Sequence, residues 1–188
     1  MTRDLHFHTR TTIDTLDYSG DGLNAGSKSV IASVGPRRRE LPTSIPAELR
    51  LPEHWKNPRL AMPGVLCIEA SSEASPSTGQ SDWTRQCDAM NTSAEINRFP
   101  LVVLCDDSAF SARNIDNFVW TTFTRSNPAA DIYGIGAFTQ QKHFGVRGSL
   151  VIDARIKPHH APPLVEDPEI TARVDALATR GLPISKYL

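Results

Sequence analysis

Residues 99–107 read Phe99-Pro-Leu-Val-Val-Leu-Cys-Asp-Asp107, and this stretch decides the fold. Pro100 opens a continuous apolar run, Leu101 to Cys105, and two carboxylates stop it. An unbroken apolar strand of this kind is buried on both faces, as in a parallel sheet covered by helices. The next residues read as a helix, with Ser111 as its cap and Ile115, Phe118, Val119, Thr122 and Phe123 as its inward stripe. Asn127-Pro128 ends it. Residues 132–135 and 149–152 are further strand candidates. Asp167-Pro168-Glu169 starts a last helix: a capping carboxylate, proline at the first helical position and an acid facing the dipole. Ile170, Val174 and Leu177 form its apolar side, and Gly181 and Pro183 close it. The order strand, helix, strand, strand, helix predicts a three-layer α/β/α unit with a mixed sheet.

Upstream the texture changes. Hydrophobic residues make up 39% of the 188-residue chain, and fourteen prolines outnumber eleven glycines. That balance favours irregular structure, concentrated before residue 97. Strands fit residues 5–13 and 27–34, with a turn-rich stretch between them, and a buried strand fits residues 65–70. The prolines at 42, 46, 52 and 58 leave little room for regular structure. A Ser/Gly/Pro-rich loop fits residues 71–80. Residues 82–96 read as a helix with Trp83, Cys87 and Met90 on one side. The expected organisation is an extended N-terminal region over residues 1–97, a compact α/β domain over 98–182 and a tail over 183–188.

Charge and cysteine usage limit the function classes. The net charge is −1, so neither nucleic acid nor an anionic membrane is an expected partner. Arg37-Arg38-Arg39, followed directly by Glu40, reads as a solvated turn. Three cysteines without CxxC spacing, two of them inside apolar runs, read as packed free thiols in a reducing compartment. No apolar leader and no membrane-spanning stretch is legible. A cytoplasmic location is expected.

Several linked stretches are similar to one family. Phe99 to Asp107, then Asn114-Ile-Asp-Asn-Phe-Val-Trp-Thr-Thr-Phe-Thr-Arg125, then Asn127-Pro-Ala-Ala-Asp131, and later Gly148-Ser-Leu-Val-Ile-Asp-Ala154 follow the order found in the C-terminal domain of UbiD-like decarboxylases. That domain has an apolar strand ending in acids, a helix with Val/Ile-Trp-Ala and Thr-Arg, a Pro-Ala-x-Asp turn and a Gly-Ser-x-x-x-x-Asp-Ala element. Asp14-Thr-Leu-Asp-Tyr-Ser-Gly20 and Asn24-Ala-Gly-Ser-Lys28 resemble the same family less strongly.

The resemblance implies membership of an enzyme family that decarboxylates aromatic and α,β-unsaturated acids with prenylated FMN, a divalent metal and a monovalent cation, the flavin supplying the electron sink. The family's catalytic Glu-Arg-Glu network and metal ligands belong to parts of the enzyme that are not recognisable here. This chain is therefore expected to carry no catalytic residue and to bind no cofactor alone. Its expected role is oligomerisation and covering of an active-site cleft, as a homo-oligomer or beside a catalytic partner subunit. Lys28 is the one candidate for a flavin-phosphate contact. The segment 82–96 has no lysine where relatives often have one, and Leu150 stands where some have lysine.

Asp106, Asp107, Arg125, Asp131 and Asp153 are expected to be structural, with Arg125 reaching Asp131 across the Pro128 turn. Trp120 is expected at a domain or subunit interface. Two other readings compete. One is a non-catalytic assembly or binding module. The other is a metal-dependent hydrolase, because Asp4-Leu-His-Phe-His8 resembles the first-strand motif of amidohydrolase barrels. His6 and His8, two residues apart on a strand, face the same way, as two ligands of one metal must. Such barrels need more ligands on later strands and a longer chain.

Overall fold

The computed structural model describes residues 4–11, 26–32, 36, 39–71, 82–158, 160 and 167–179. The expected turn at 18–25, Arg37, Arg38, His159, most of the Ser/Gly/Pro-rich segment and the tail at 183–188 lie outside them. So do the proposed stop signals Gly181 and Pro183.

The protein is mixed α/β, built on a five-stranded mixed sheet. Its strands are β3 (Trp55–Met62), β4 (Val65–Ala70), β5 (Leu101–Cys105), β6 (Ile132–Gly134) and β9 (Leu150–Asp153), in the order β3-β4-β5-β9-β6. β4, β5 and β9 run parallel, while β3 and β6 flank them antiparallel. The parallel centre accounts for the continuous apolar run at 101–105: Val102, Val103, Leu104 and Cys105 are all buried.

Alternate residues serve opposite faces. Leu66, Ile68, Val102, Leu104 and Val151 pack with Trp55, Trp83, Cys87, Ile96 and Phe99. Cys67, Val103, Cys105 and Ala154 pack with Phe118. Helix α1 (Asp82–Ala89) thus covers one face and helix α3 (Ile115–Thr124) the other, as a three-layer arrangement requires. The short helices α2 (Ser108–Ser111) and α4 (Pro128–Asp131) lie on either side of α3 in the chain, and α5 (Pro168–Thr179) comes last. Two small ribbons complete the described fold: β1 (Asp4–Thr11) with β2 (Gly26–Ala32), and β7 (Ala137–Gln140) with β8 (His143–Val146).

Several expectations need correcting. Residues 55–62 form a strand despite Pro58. β3 is a sheet edge with register irregularities, and Asn57 has φ +49°, so the proline costs no interior ladder bond. The sheet consequently reaches back across residue 97. The helix at 82–96 is interrupted: α1 stops at Ala89 and a 3-10 turn covers Glu95–Arg98. The Asn91 carboxamide accepts from the Ser93 N–H and hydroxyl at 2.9 Å each, a local bond that competes with the helix. Ser111 caps nothing. Asp107 caps α2 through the Phe110 N–H, and Asn114 caps α3 through the Asn117 N–H. The β7–β8 hairpin was not expected; Gln141 and Lys142 turn it with φ of +49° and +68°.

The inward stripe of α3 also differs. Phe118, Thr121 and Thr122 are buried, whereas Ile115, Val119, Trp120 and Phe123 are 57%, 45%, 50% and 51% exposed. The small threonines let the helix lie close to the sheet, and the Ser111 hydroxyl donates to Thr121 Oγ1. The last helix begins as expected, with Asp167 accepting from the Glu169 and Ile170 N–H groups.

All three cysteines are buried and free. Burial pushes the Cys87 thiol up to about 12, and hydrogen bonding to Cys105 together with burial pushes Cys67 up as well. Only the thiolate reacts. At pH 7.5 native Cys87 should hold about a thousandfold less thiolate than an ordinary thiol. The hydrogen bond with Cys67 instead holds the Cys105 thiol below its ordinary value, but all three residues are at most 1% exposed, so the native protein is expected to consume almost no Ellman reagent until denaturant is added. Rapid native labelling at any of the three positions would contradict this packing.

Candidate functional site

Parallel strands put their ligand crevices at their carboxyl ends, and the sequence sends most of its charged motif residues to that edge. Asp106 follows β5. Its Oδ2 accepts from Arg125 at 3.2 Å and from the Ile156 N–H at 2.8 Å. Asp107 is taken up capping α2. Asp153, buried at the end of β9, forms a two-pronged pair with Arg155, Nε to Oδ1 and a terminal nitrogen to Oδ2, both at 2.9 Å. The Arg155 guanidinium lies 4.2 Å over the Trp83 ring, a contact favoured by the ring's negative face. Glu69, at the end of β4, accepts from the Ser108 hydroxyl and N–H.

Arg125 was expected to pair with Asp131; it pairs with Asp106 instead. Asp131 pairs with Lys157, 3.2 Å away, and accepts from the Asn127 N–H at 2.6 Å. Lys157 carries no motif signal in the sequence, and only the return of the chain past α4 places it there. Asn127 also ties the fold together over long range. The Ser27 hydroxyl donates to its Oδ1, and the Ala129 N–H donates to Ser27 Oγ at 2.7 Å. The Gly26-Ser27-Lys28 and Asn127-to-Asp131 motifs, a hundred residues apart, therefore meet.

Burial pushes the Asp131 carboxyl above its ordinary 3.8; Lys157 and the Asn127 N–H offset part of this, and Asp153 adds to it. A carboxyl raised on folding binds its proton more tightly in the native state. Its stabilising contribution is complete below pH 3.8 and is lost as pH rises through the folded value. The stability of the parent relative to Asp131→Asn should therefore fall as pH is raised across that window. A flat difference in chemical denaturation from pH 3 upward would contradict it.

The remaining candidates lie elsewhere. Lys28 and His8 are cross-strand partners on the β1–β2 ribbon, and both are exposed. Lys28 is exposed on a two-stranded ribbon, and no chemical step is assigned through a flavin. His6 is exposed on the same face, its ring edge-on to His143 at 6.4 Å. Among the described residues no group of three His, Cys, Asp or Glu could hold a metal. Hollows of about 340 and 490 Å³ open beside Leu51, Met90 and Ile96 and beside Ile45, Leu60 and Ala112. Neither is lined by a member of the carboxyl-edge network. Trp120 stands outward on α3. Among the described residues no helix is long and apolar enough to cross a membrane.

The acids of the carboxyl-edge network are consumed by arginines, a lysine and backbone N–H groups, which orders the loops at the sheet edge. What the chain is similar to agrees with the sequence motifs. It is 30% identical over 169 residues to an uncharacterised protein of Chlamydia caviae, and 32% identical over 170 residues to one of Chlamydia trachomatis serovar D. Each match covers 90% of this chain and 27% of the relative. It is 28% identical over 172 residues, 92% of this chain and 27% of the relative, to a Chlamydia pneumoniae protein named as a subunit of 4-hydroxybenzoate decarboxylase. The chain spans about a quarter of the length of these relatives, and the likeness runs through most of it rather than only residues 99–156. No family model matches the chain.

Proposed function

We propose that this chain is the C-terminal lobe, or a small subunit, of a UbiD-like non-oxidative decarboxylase acting on aromatic or α,β-unsaturated acids. Its role is assembly and covering of an active site whose reacting groups and prenylated FMN, with its divalent metal, are held elsewhere. One observation carries this reading: the acids of the family-like motifs, Asp106, Asp131 and Asp153, are committed to cations of the chain itself. A carboxylate so engaged orders loops and is poorly placed to exchange protons with a substrate. The distant likeness to a region of a protein named as part of a 4-hydroxybenzoate decarboxylase supports the substrate class.

The outward apolar face of α3 favours a second reading, a non-catalytic assembly module that acts without a flavin-binding partner. Co-expression with the catalytic part of a UbiD-like decarboxylase separates the two. A co-purifying yellow complex that releases carbon dioxide supports the first. A colourless homo-oligomer that never retains flavin supports the second. Flavin retention and turnover by the isolated chain would refute both.

A further inference from the structure

Two histidines far apart in the sequence meet away from the carboxyl-edge network. The rings of His6 on β1 and His143 on β8 lie 6.4 Å apart, centroid to centroid, with their planes at 88°. Both residues are exposed, so burial does not account for their meeting. Their neighbours in the chain meet as well: Phe7 and Phe144, each partly buried, lie edge-on at 6.0 Å. Successive side chains on a strand point to opposite faces. The phenyl contact on one face therefore fixes the spacing of the two strands, and the imidazoles approach each other on the other face, open to water.

We infer that His6 and His143 form a two-imidazole site for a transition-metal dication, with zinc as the reference ion, that clips the β1–β2 ribbon to the β7–β8 hairpin. Imidazole nitrogen suits zinc, copper and nickel. Each Zn–N bond is about 2.0–2.1 Å, so two rings on one ion stand roughly 5–6.5 Å apart between centroids. The observed 6.4 Å falls at the wide end, and rotation of exposed side chains narrows it. Water completes the coordination, which makes the site open and weaker than a four-ligand structural one. Magnesium and calcium need oxygen ligands and find none from this pair. His8 lies on the same face of β1 as His6, but its cross-strand partner is Lys28, whose charge opposes a dication there. This inference is independent of the proposed enzyme family.

Zinc titration calorimetry of the full chain, prepared without a histidine tag and near neutral pH, tests it. The parent should bind one zinc ion per chain. His6→Gln and His143→Gln should each lower the affinity at least tenfold, and the double variant should lose little more, because both rings serve one ion. His8→Gln should bind like the parent, and magnesium should not bind. All these positions are exposed, so the variants should melt like the parent without metal. Saturating zinc should raise the melting temperature of the parent by about 3 °C and leave that of the double variant unchanged. No zinc binding to the parent, equal affinity in His143→Gln, or a loss confined to His6→Gln and His8→Gln would each overturn the inference.

Discussion

Replacing Asp153 with alanine is expected to cost the fold about 3–5 kcal/mol, the range for stranding one member of a buried ion pair. The Asp153 side chain is 4% exposed and that of Arg155 15%. Removing the carboxylate leaves a guanidinium beside Trp83 without its two-pronged acceptor, and the Arg155 N–H also loses Asp153 Oδ1. Arg155→Met in the same background should restore part of the loss, because it withdraws the stranded charge. Urea denaturation of the parent, the single variant and the double variant measures both effects. A loss under about 1 kcal/mol would mean that the pair is solvated and that Asp153 is not a structural residue.

The second large effect is expected on association. Trp120 and Phe123 are half-exposed on α3, and large aromatics concentrate binding energy where they are buried by a partner. Changing both to serine should move the isolated chain's stability by only about 0.5 kcal/mol, as for other surface positions. Binding to a catalytic partner, or self-association, should weaken by about 2 kcal/mol or more, close to thirtyfold in Kd. Analytical ultracentrifugation and titration calorimetry read this directly. Unchanged association would remove Trp120 from the interface.

Elements whose burial follows one simple period were legible in the sequence. The run at 101–105 is apolar throughout because it lies at the parallel centre, and Asp167-Pro168-Glu169 marks the start of α5 through caps that act within four residues. Misreadings came where two signals overlapped. In α3, Ile115, Val119 and Phe123 form one row and Phe118 and Thr122 another. Both are apolar enough to suggest burial, and only the sheet beneath decides between them. At Pro58 the rule against proline in strands was outweighed by an edge position with a bulge. The charged residues at the sheet edge stood out in the sequence, but their partners did not. Arg125 prefers Asp106 over Asp131 because Lys157, thirty-two residues beyond Arg125, already holds Asp131. No local pattern encodes that contact.

Gly148 is constrained in the same non-local way. A Cβ there would run into the Asn97 carboxamide oxygen and approach the Ile135 Cβ, while Asn97 Oδ1 must stay to accept the Ser149 N–H at 2.8 Å. Gly148→Ala is accordingly expected to cost about 1–3 kcal/mol by overpacking, readable as a lower melting temperature. A melting temperature equal to the parent's would show that the Asn97 side chain can move aside freely.

A lobe that completes an enzyme whose reacting groups lie outside it should raise that enzyme's rate without reacting by itself. Titrating the purified chain into a flavin-loaded UbiD-like catalytic fragment that lacks its own terminal lobe, and following carbon dioxide release, tests this most directly. The predicted result is a saturable rise in rate that levels off at one chain per fragment, with no release from the chain alone. A rate indifferent to added chain, or decarboxylation by the chain without the fragment, would contradict it.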